Sequence, residues 1–367
     1  MLVILPSFKR IDSIYWVILT ILDAELPKLT DKPRLLIVNN YPPNTSEINR
    51  IISEIKNENT NSLNWEIIIL HRKTTLPPVD NWYSTVFEFA QENEVVFFVG
   101  DDDPLYKKSI CSRYNQLLEN KADFILGRIS HGLTFFNNCR YFVFDKETHL
   151  YSEKITVLSA NAIWDWTAIH LSNHCFIFNK TFKDSYELAV KWCDSQQYAT
   201  EYNRRLFITF FIPLAICYNN GKVIGFDSLV LYRGKAFEDV RTSKFGIASW
   251  NLGYISKIAE LTIRLNPELN NNPSLRKLSA HFSDQFDKWY IPILFDKRIS
   301  RTDLNTIKKL SNFSPFRISF KNILKGCFIV LKDLCKLNGV RLYIESRNRL
   351  ELTGKLFKSE TIQDKDN

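Results

Sequence analysis

Four short apolar runs, each stopped by a polar or proline-containing turn and separated by segments of helical spacing, limit this chain to very few folds. Residues 2–5 read as a first buried strand, halted by Pro6 and followed by Ser7, Phe8, Lys9 and Arg10. Residues 34–38 form a second, ending in Asn39, Asn40, Tyr41, Pro42 and Pro43, and residues 65–70 a third, followed by His71, Arg72 and Lys73. The fourth is VVFFVGDDDPL, residues 95–105, which runs straight into Asp101, Asp102 and Asp103. Between them, Ile14, Val17, Ile18, Ile21 and Leu22 recur at helical spacing over residues 11–23, and a second helix is expected over about 46–55. Asp80 is expected to cap a third helix over 81–91, with Trp82, Val86, Phe89 and Ala90 on one stripe. Strands alternating with helices in this way predict a doubly wound, mostly parallel α/β sheet.

The aspartate run is the strongest chemical signal. An acidic triplet taken alone is commonly a solvated turn, since Asp favours turns and Pro often follows it. Here it follows a strand apolar enough to be covered on both faces, and in open α/β sheets ligands bind beyond the carboxyl ends of the strands. Three adjacent carboxylates repel one another unless a cation, donor groups or water compensates, and hard oxygen ligands select Mg²⁺ or Mn²⁺. A divalent ion bridging a diphosphate accounts for the run economically.

With 367 residues, the chain can form one large domain with an extension, or two domains. A composition 45% hydrophobic and 14% aromatic argues against disorder and fibrous repeats. The net charge of +8 suits an anionic partner such as a nucleotide diphosphate or a membrane surface. No recognisable RNA or DNA module accompanies it, so no nucleic-acid partner is expected. The seven cysteines include no CxxC pair, which argues against zinc and against a disulfide framework and fits buried thiols in a reducing compartment. The start, MLVILPSFKR, lacks the pattern of a secretion signal, and the apolar run 206–217 is too short to span a bilayer and holds Pro213. A cytoplasmic location is expected, with peripheral attachment at the inner face of the membrane as an option.

Further strands are expected at 124–128, 175–178, 214–218 and 223–226, and from residue 238 to about 337 the pattern is helical. The chain therefore divides into 1–235, with a nucleotide-facing half 1–110 and an acceptor-facing half 111–235, and a basic helical extension 236–367. Between Arg317 and Lys358, ten lysines and arginines face three acidic residues. Phe320, Ile323, Leu324, Cys327, Phe328, Leu331, Leu334 and Cys335 make an apolar stripe there, with Lys321, Lys325, Lys332 and Lys336 largely off it. Such a helix either lies on an anionic membrane, through residues 316–358, or packs in the fold with a solvated basic face.

The order VILPSFKR, LLIVNNYP, a DNW-led helix and VVFFVGDDDPL resembles the family-two glycosyltransferases of the GT-A fold. The resemblance covers residues 1–110 well and 111–235 in outline. It implies transfer of a sugar, with inversion, from a nucleotide-sugar donor (a UDP-sugar favoured) to a hydroxyl of a growing cell-surface glycan, free or lipid-linked. It places Pro6, Ser7 and Arg10 beside the nucleotide and Asn39 and Asn40 near the base, where the family often has Asp-Asp. It assigns Asp101 and Asp102 to nucleotide, ribose or metal-bound water, and Asp103, with Asp101, to a Mn²⁺ or Mg²⁺ that neutralises the departing diphosphate. Asp102 is the reserve ligand, since three consecutive aspartates align in more than one register.

Inversion also needs a base for the acceptor proton. The carboxylates available are Asp194, then Glu201, both in KWCDSQQYATEYNRRLF, and third Asp165, between Trp164 and Trp166. Asp194 has helix capping as its structural alternative, and Asp165 contact with a sugar acceptor. His170 and His174, four apart, lack the third ligand of a metal site. His71, Arg72, Lys73 and Arg233 are further groups able to approach phosphate, or simply to support the fold. Two other functions compete: a glycan-binding or assembly subunit without catalysis, and a sugar-phosphate nucleotidyltransferase, whose glycine-rich loop is replaced here by PSFKR.

Overall fold

The computed structural model describes residues 1–334 except 10, 25, 31, 104, 106–108, 136–141, 144–151, 161, 167–172, 195–200, 237–251 and 296–298. The strands β1 (Leu2–Ser7), β2 (Arg34–Asn39), β3 (Glu66–His71) and β4 (Glu94–Phe98) pair in parallel in the order β3-β2-β1-β4. Beyond β4 come β8 (Cys175–Phe178), antiparallel to it, then β5 (Phe124–Phe135), β9 (Val223–Ala236) and β7 (Ile155–Val157). β5 and β9 are parallel to each other, and a short β6 (Phe142–Val143) pairs with β5.

Burial on both faces explains the unbroken apolar runs. Leu2, Ile4, Leu36, Val38, Val96 and Phe98 enter one core, while the alternate residues Val3, Leu5, Leu35, Ile37, Val95 and Phe97 enter the other. The helices α1 (Ile11–Leu22), α2 (Thr45–Glu58) and α4 (Ser109–Glu119) cover this second face. The first is covered by α3 (Pro78–Phe89), α5 (Lys180–Asp194) and α6 (Glu201–Tyr218). The doubly wound, mostly parallel α/β architecture expected from the sequence is present.

The expected strand at 214–218 is instead the last part of α6, an eighteen-residue helix. Its described side chains from Ile208 to Ile216 are all buried, chiefly against α5, so they show no solvent-facing polar stripe. A continuous apolar run of that kind does not distinguish a buried strand from a buried helix. Helix α3 begins at Pro78, not Asn81, so Asp80 sits in its first turn and is not its cap. Its charge still complements the positive end of the helix dipole there.

After residue 251 the chain is helical as expected: α7 (Leu252–Leu265), α8 (Pro273–Leu294), α9 (Arg301–Leu310) and α10 (Phe320–Leu334). These helices join the core of the first face. Phe210 of α6 meets Phe282 of α8 edge-on at 5.6 Å, and the Trp192 indole N–H donates to Glu268 at 2.6 Å. No helix among the described residues is long and apolar enough to cross a membrane.

Candidate functional site

From β1 the chain winds outward to β2 and β3 on one side, and places β4 on the other. The carboxyl ends of β1 and β4 therefore flank the point where strand order reverses, which is where open α/β sheets leave a crevice. The PSFKR turn and the aspartate run occupy those two ends. They are tied together: the Phe8 N–H donates to Asp101 Oδ2 at 2.9 Å, and the Ser13 hydroxyl donates to the Asp101 carbonyl at 2.6 Å. Asp101, Asp102 and Asp103 are only 6%, 8% and 8% exposed. Three carboxylates that close to one another and that buried are held at an electrostatic cost unless donors or a cation compensate. One such donor is the Phe8 amide.

Pro6 and Ser7 end β1, both buried. The Ser7 hydroxyl has no hydrogen-bond partner although its oxygen is fully buried, and the same holds for Ser109 at the first turn of α4. Buried polar atoms are ordinarily satisfied, so both hydroxyls have hydrogen-bonding capacity to spare. Arg10 lies outside the described residues.

Asn39 and Asn40 end β2 and begin the loop after it. Both side chains are buried and engaged within the protein. The Asn39 amide nitrogen donates to Thr45 Oγ1 at 3.2 Å and lies 3.2 Å from His71 Nδ1, and its oxygen accepts from the Tyr41 N–H at 3.0 Å. Asn40 clasps Leu76 twice, donating to its carbonyl at 2.8 Å and accepting from its N–H at 2.9 Å. These bonds shape the loops after β2 and β3. Arg72 is likewise committed, to Glu88, Asn81, Ser84 and Thr85.

The groups that do face outward here went unassigned in the sequence. Lys9 adopts a left-handed backbone, φ 64°, and its ammonium sits 5.1 Å from the centroid of Phe8 and 4.9 Å from that of Tyr41. The two rings meet edge-on at 5.6 Å, and Phe8 is 43% exposed. A cation held against two rings at the mouth of the crevice offers charge to a phosphate and a flat apolar surface to a base. The available signal was an aromatic residue just after each of two strand ends, Phe8 and Tyr41.

No protein-family model matches the chain, and no curated protein matches it. Among solved structures it is similar to S. aureus TarS. The crystal structure of TarS 1-349 in complex with UDP has 12% identity and TM-score 0.49, over 92% of this chain and 90% of that one. The complex of the same fragment with UDP-GlcNAc has 12% identity and TM-score 0.49, over 91% and 88%. A further TarS crystal structure has 12% identity and TM-score 0.48, and there this chain covers only 54% of the other.

The three candidate bases converge on one end of the sheet. β8 runs antiparallel to β4, so α5, which follows β8, returns toward the end where β4 stops. Ring contacts bear this out: Phe182 meets Phe178 and Phe87, and Tyr186 meets Tyr83, one turn nearer the start of α3. Asp194 is the last residue of α5, exposed, so it caps no helix amino terminus there. Burial raises the Tyr186 hydroxyl pKa above its usual range, and the nearby Asp194 charge adds to this. Glu201 opens α6, which runs back down to β9, and so starts at the same end. Asp165 lies in the turn Ile163–Trp166, whose Trp166 carbonyl accepts from Asn173 at 2.9 Å. For Glu201, Asp165 and Arg233 the backbone alone is described.

Asn173 is a buried hub that the sequence did not mark. Its amide pairs with both backbone groups of Gly127, at 2.9 and 3.0 Å, and accepts from Arg113 at 2.8 Å. Arg113 is itself buried, lies 5.6 Å from the Phe97 centroid, and burial lowers its pKa to about 10. β4, β5, α4 and the Asp165 turn are thereby locked to one another. His174 is packed against Phe124 at 5.0 Å, and His170 lies outside the described residues.

The donor set at the end of β4 is carboxylate oxygen, the chemistry that suits Mg²⁺ or Mn²⁺. Among the described residues no three His, Cys, Asp or Glu side chains surround one point. A cation here would thus draw one or two ligands from the aspartate run and the remainder from diphosphate or water, the usual arrangement for Mg²⁺.

Proposed function

We propose that this chain is a metal-dependent, inverting glycosyltransferase that moves a sugar from a nucleotide-sugar donor, UDP-sugars favoured, to a hydroxyl of a growing glycan. One observation carries the reading: the turn after β1 is clamped onto the aspartate run at the strand-order reversal by the Phe8 N–H to Asp101 bond. In this reading the crevice takes the donor. Lys9, Phe8 and Tyr41 border the nucleoside.

Asp103 would be the first metal ligand, with Asp101 beside it and Asp102 in reserve. When bound, a Mg²⁺ or Mn²⁺ supplies Lewis-acid neutralisation of the leaving diphosphate. The acceptor hydroxyl loses its proton to a carboxylate as its oxygen bonds to the anomeric carbon, and the bond from that carbon to the diphosphate oxygen breaks on the opposite face. For this proton the order of preference is Asp194, then Glu201, then Asp165. Arg113 and Asn173 hold the two halves of the site in register.

A donor screen tests the reading without knowledge of the acceptor. The purified chain with Mn²⁺ is offered UDP-sugars and GDP-sugars, and slow release of free sugar from one of them is expected. Failure to hydrolyse or to bind any of these donors would refute it.

A further inference from the structure

Of the apolar stripe read over residues 320–335, Ile323 is half-buried against the core and the other described members face outward, while the Leu334 side chain and Cys335 lie outside the described residues. Residues off that stripe hold α10 to the protein: Val330 is buried, as is Ile318 just before the helix, and Gly326 lies so close to α8 that an added Cβ would come within 2.7 Å of Ile291 Cβ. Phe320, Leu324, Phe328 and Leu331, successively four, four and three residues apart, are 72%, 53%, 67% and 59% exposed, and Phe316 just before the helix is 98% exposed.

Soluble proteins seldom leave a contiguous row of large apolar side chains in water. The edge of the row supplies the identity of its partner. At 100° per residue, Lys321 and Lys325 fall beside Phe328 on the flank away from α8, both exposed, and Arg317 is exposed next to Phe316. Residues 315–331 contain these three cations and no acidic residue. Bulky apolar groups on a fixed helix face, bordered by cations alone, match the boundary between headgroups and acyl chains of an anionic bilayer. An acidic protein partner would satisfy the lysines but leaves the projecting Phe316 and Phe320 without a hydrocarbon layer to enter.

We infer that α10 is an interfacial helix that docks the protein on anionic lipid, inserting Phe316, Phe320, Leu324 and Phe328 while Arg317, Lys321 and Lys325 contact headgroup phosphates. The rest of the fold stays outside the bilayer, held by the Gly326 contact with α8. This inference is independent of the donor chemistry.

The test is flotation of the full chain with vesicles of phosphatidylcholine, alone or mixed with phosphatidylglycerol. Wild type is expected to float with the mixed vesicles and far less with the neutral ones. Lys321→Gln/Lys325→Gln should weaken partitioning roughly thirtyfold, from about a factor of five per cation. Phe320→Ser/Phe328→Ser should abolish flotation while leaving circular dichroism and thermal unfolding unchanged, because both side chains already face solvent. Cys327, exposed on the same side, should be protected from alkylation by mixed vesicles, as read by peptide mass mapping. Equal flotation of wild type and both variants, equal binding to neutral vesicles, or a dimer in solution that Phe328→Ser dissolves would each overturn the inference.

Discussion

Asn40 shows what a buried amide does when it sits where a ligand contact was expected. Its two bonds to Leu76 fix the loop after β3 against the end of β2. Replacing it with alanine strands a backbone N–H and a carbonyl, at a cost of about 1–3 kcal/mol. Asn40→Ala should therefore lower the denaturation midpoint measurably, and a base-contact role would instead leave stability untouched and change only nucleotide affinity. Asp227 supplies a pH-dependent case. Its carboxylate accepts from the Ser152 hydroxyl at 2.5 Å and from Arg128 at 2.8 Å, and these bonds hold its pKa below the ordinary 3.8. A carboxyl with a lowered folded pKa adds stability above its unfolded value and loses it as pH falls through the folded one. Because the pair is partly exposed, Asp227→Asn should cost less than about 1 kcal/mol at neutral pH. Urea titrations should find the difference from wild type shrinking progressively below pH 3.8.

Among the elements, the β1, β2, β4 and α1 assignments were legible because each carries a one-sided or two-sided burial pattern of fixed period. α6 was not, since a helix wrapped by protein presents the same apolar run as a buried strand. The site was legible in the same uneven way. Asp101 to Asp103 were visible as a charge cluster closing a buried strand. Asn173, Arg113 and the Lys9, Phe8 and Tyr41 grouping were not, because each takes its meaning from residues distant in sequence. The close approach of β9 to the Asp165 turn belongs here too. A Cβ at Gly225 would overlap the Trp166 indole, which also carries Arg128 at 3.9 Å from its ring centroid. Gly225→Ala should displace that turn, destabilise the fold by about 1–3 kcal/mol, and lower transfer more than donor hydrolysis. Equal loss of both activities would remove Asp165 and its turn from the acceptor side.

At the scale of the whole molecule, two cores on opposite faces of one sheet leave the carboxyl ends of β1 and β4 as the place where polar groups are both buried and concentrated. The reach of the helical layer to α6 and Trp192 extends one of those cores beyond the sheet. The central claim is that the aspartate run and the turn clamped to it form a metal-dependent nucleotide diphosphate site. Calorimetric titration of UDP into the full chain, with and without Mn²⁺, tests it most directly. Wild type should bind only with the metal, and Asp103→Ala should weaken that binding roughly 10²-fold without lowering the unfolding temperature, on the scale of losing one charge-stabilising group in a preorganised site. Binding that is absent, or indifferent to both metal and Asp103, would contradict the account.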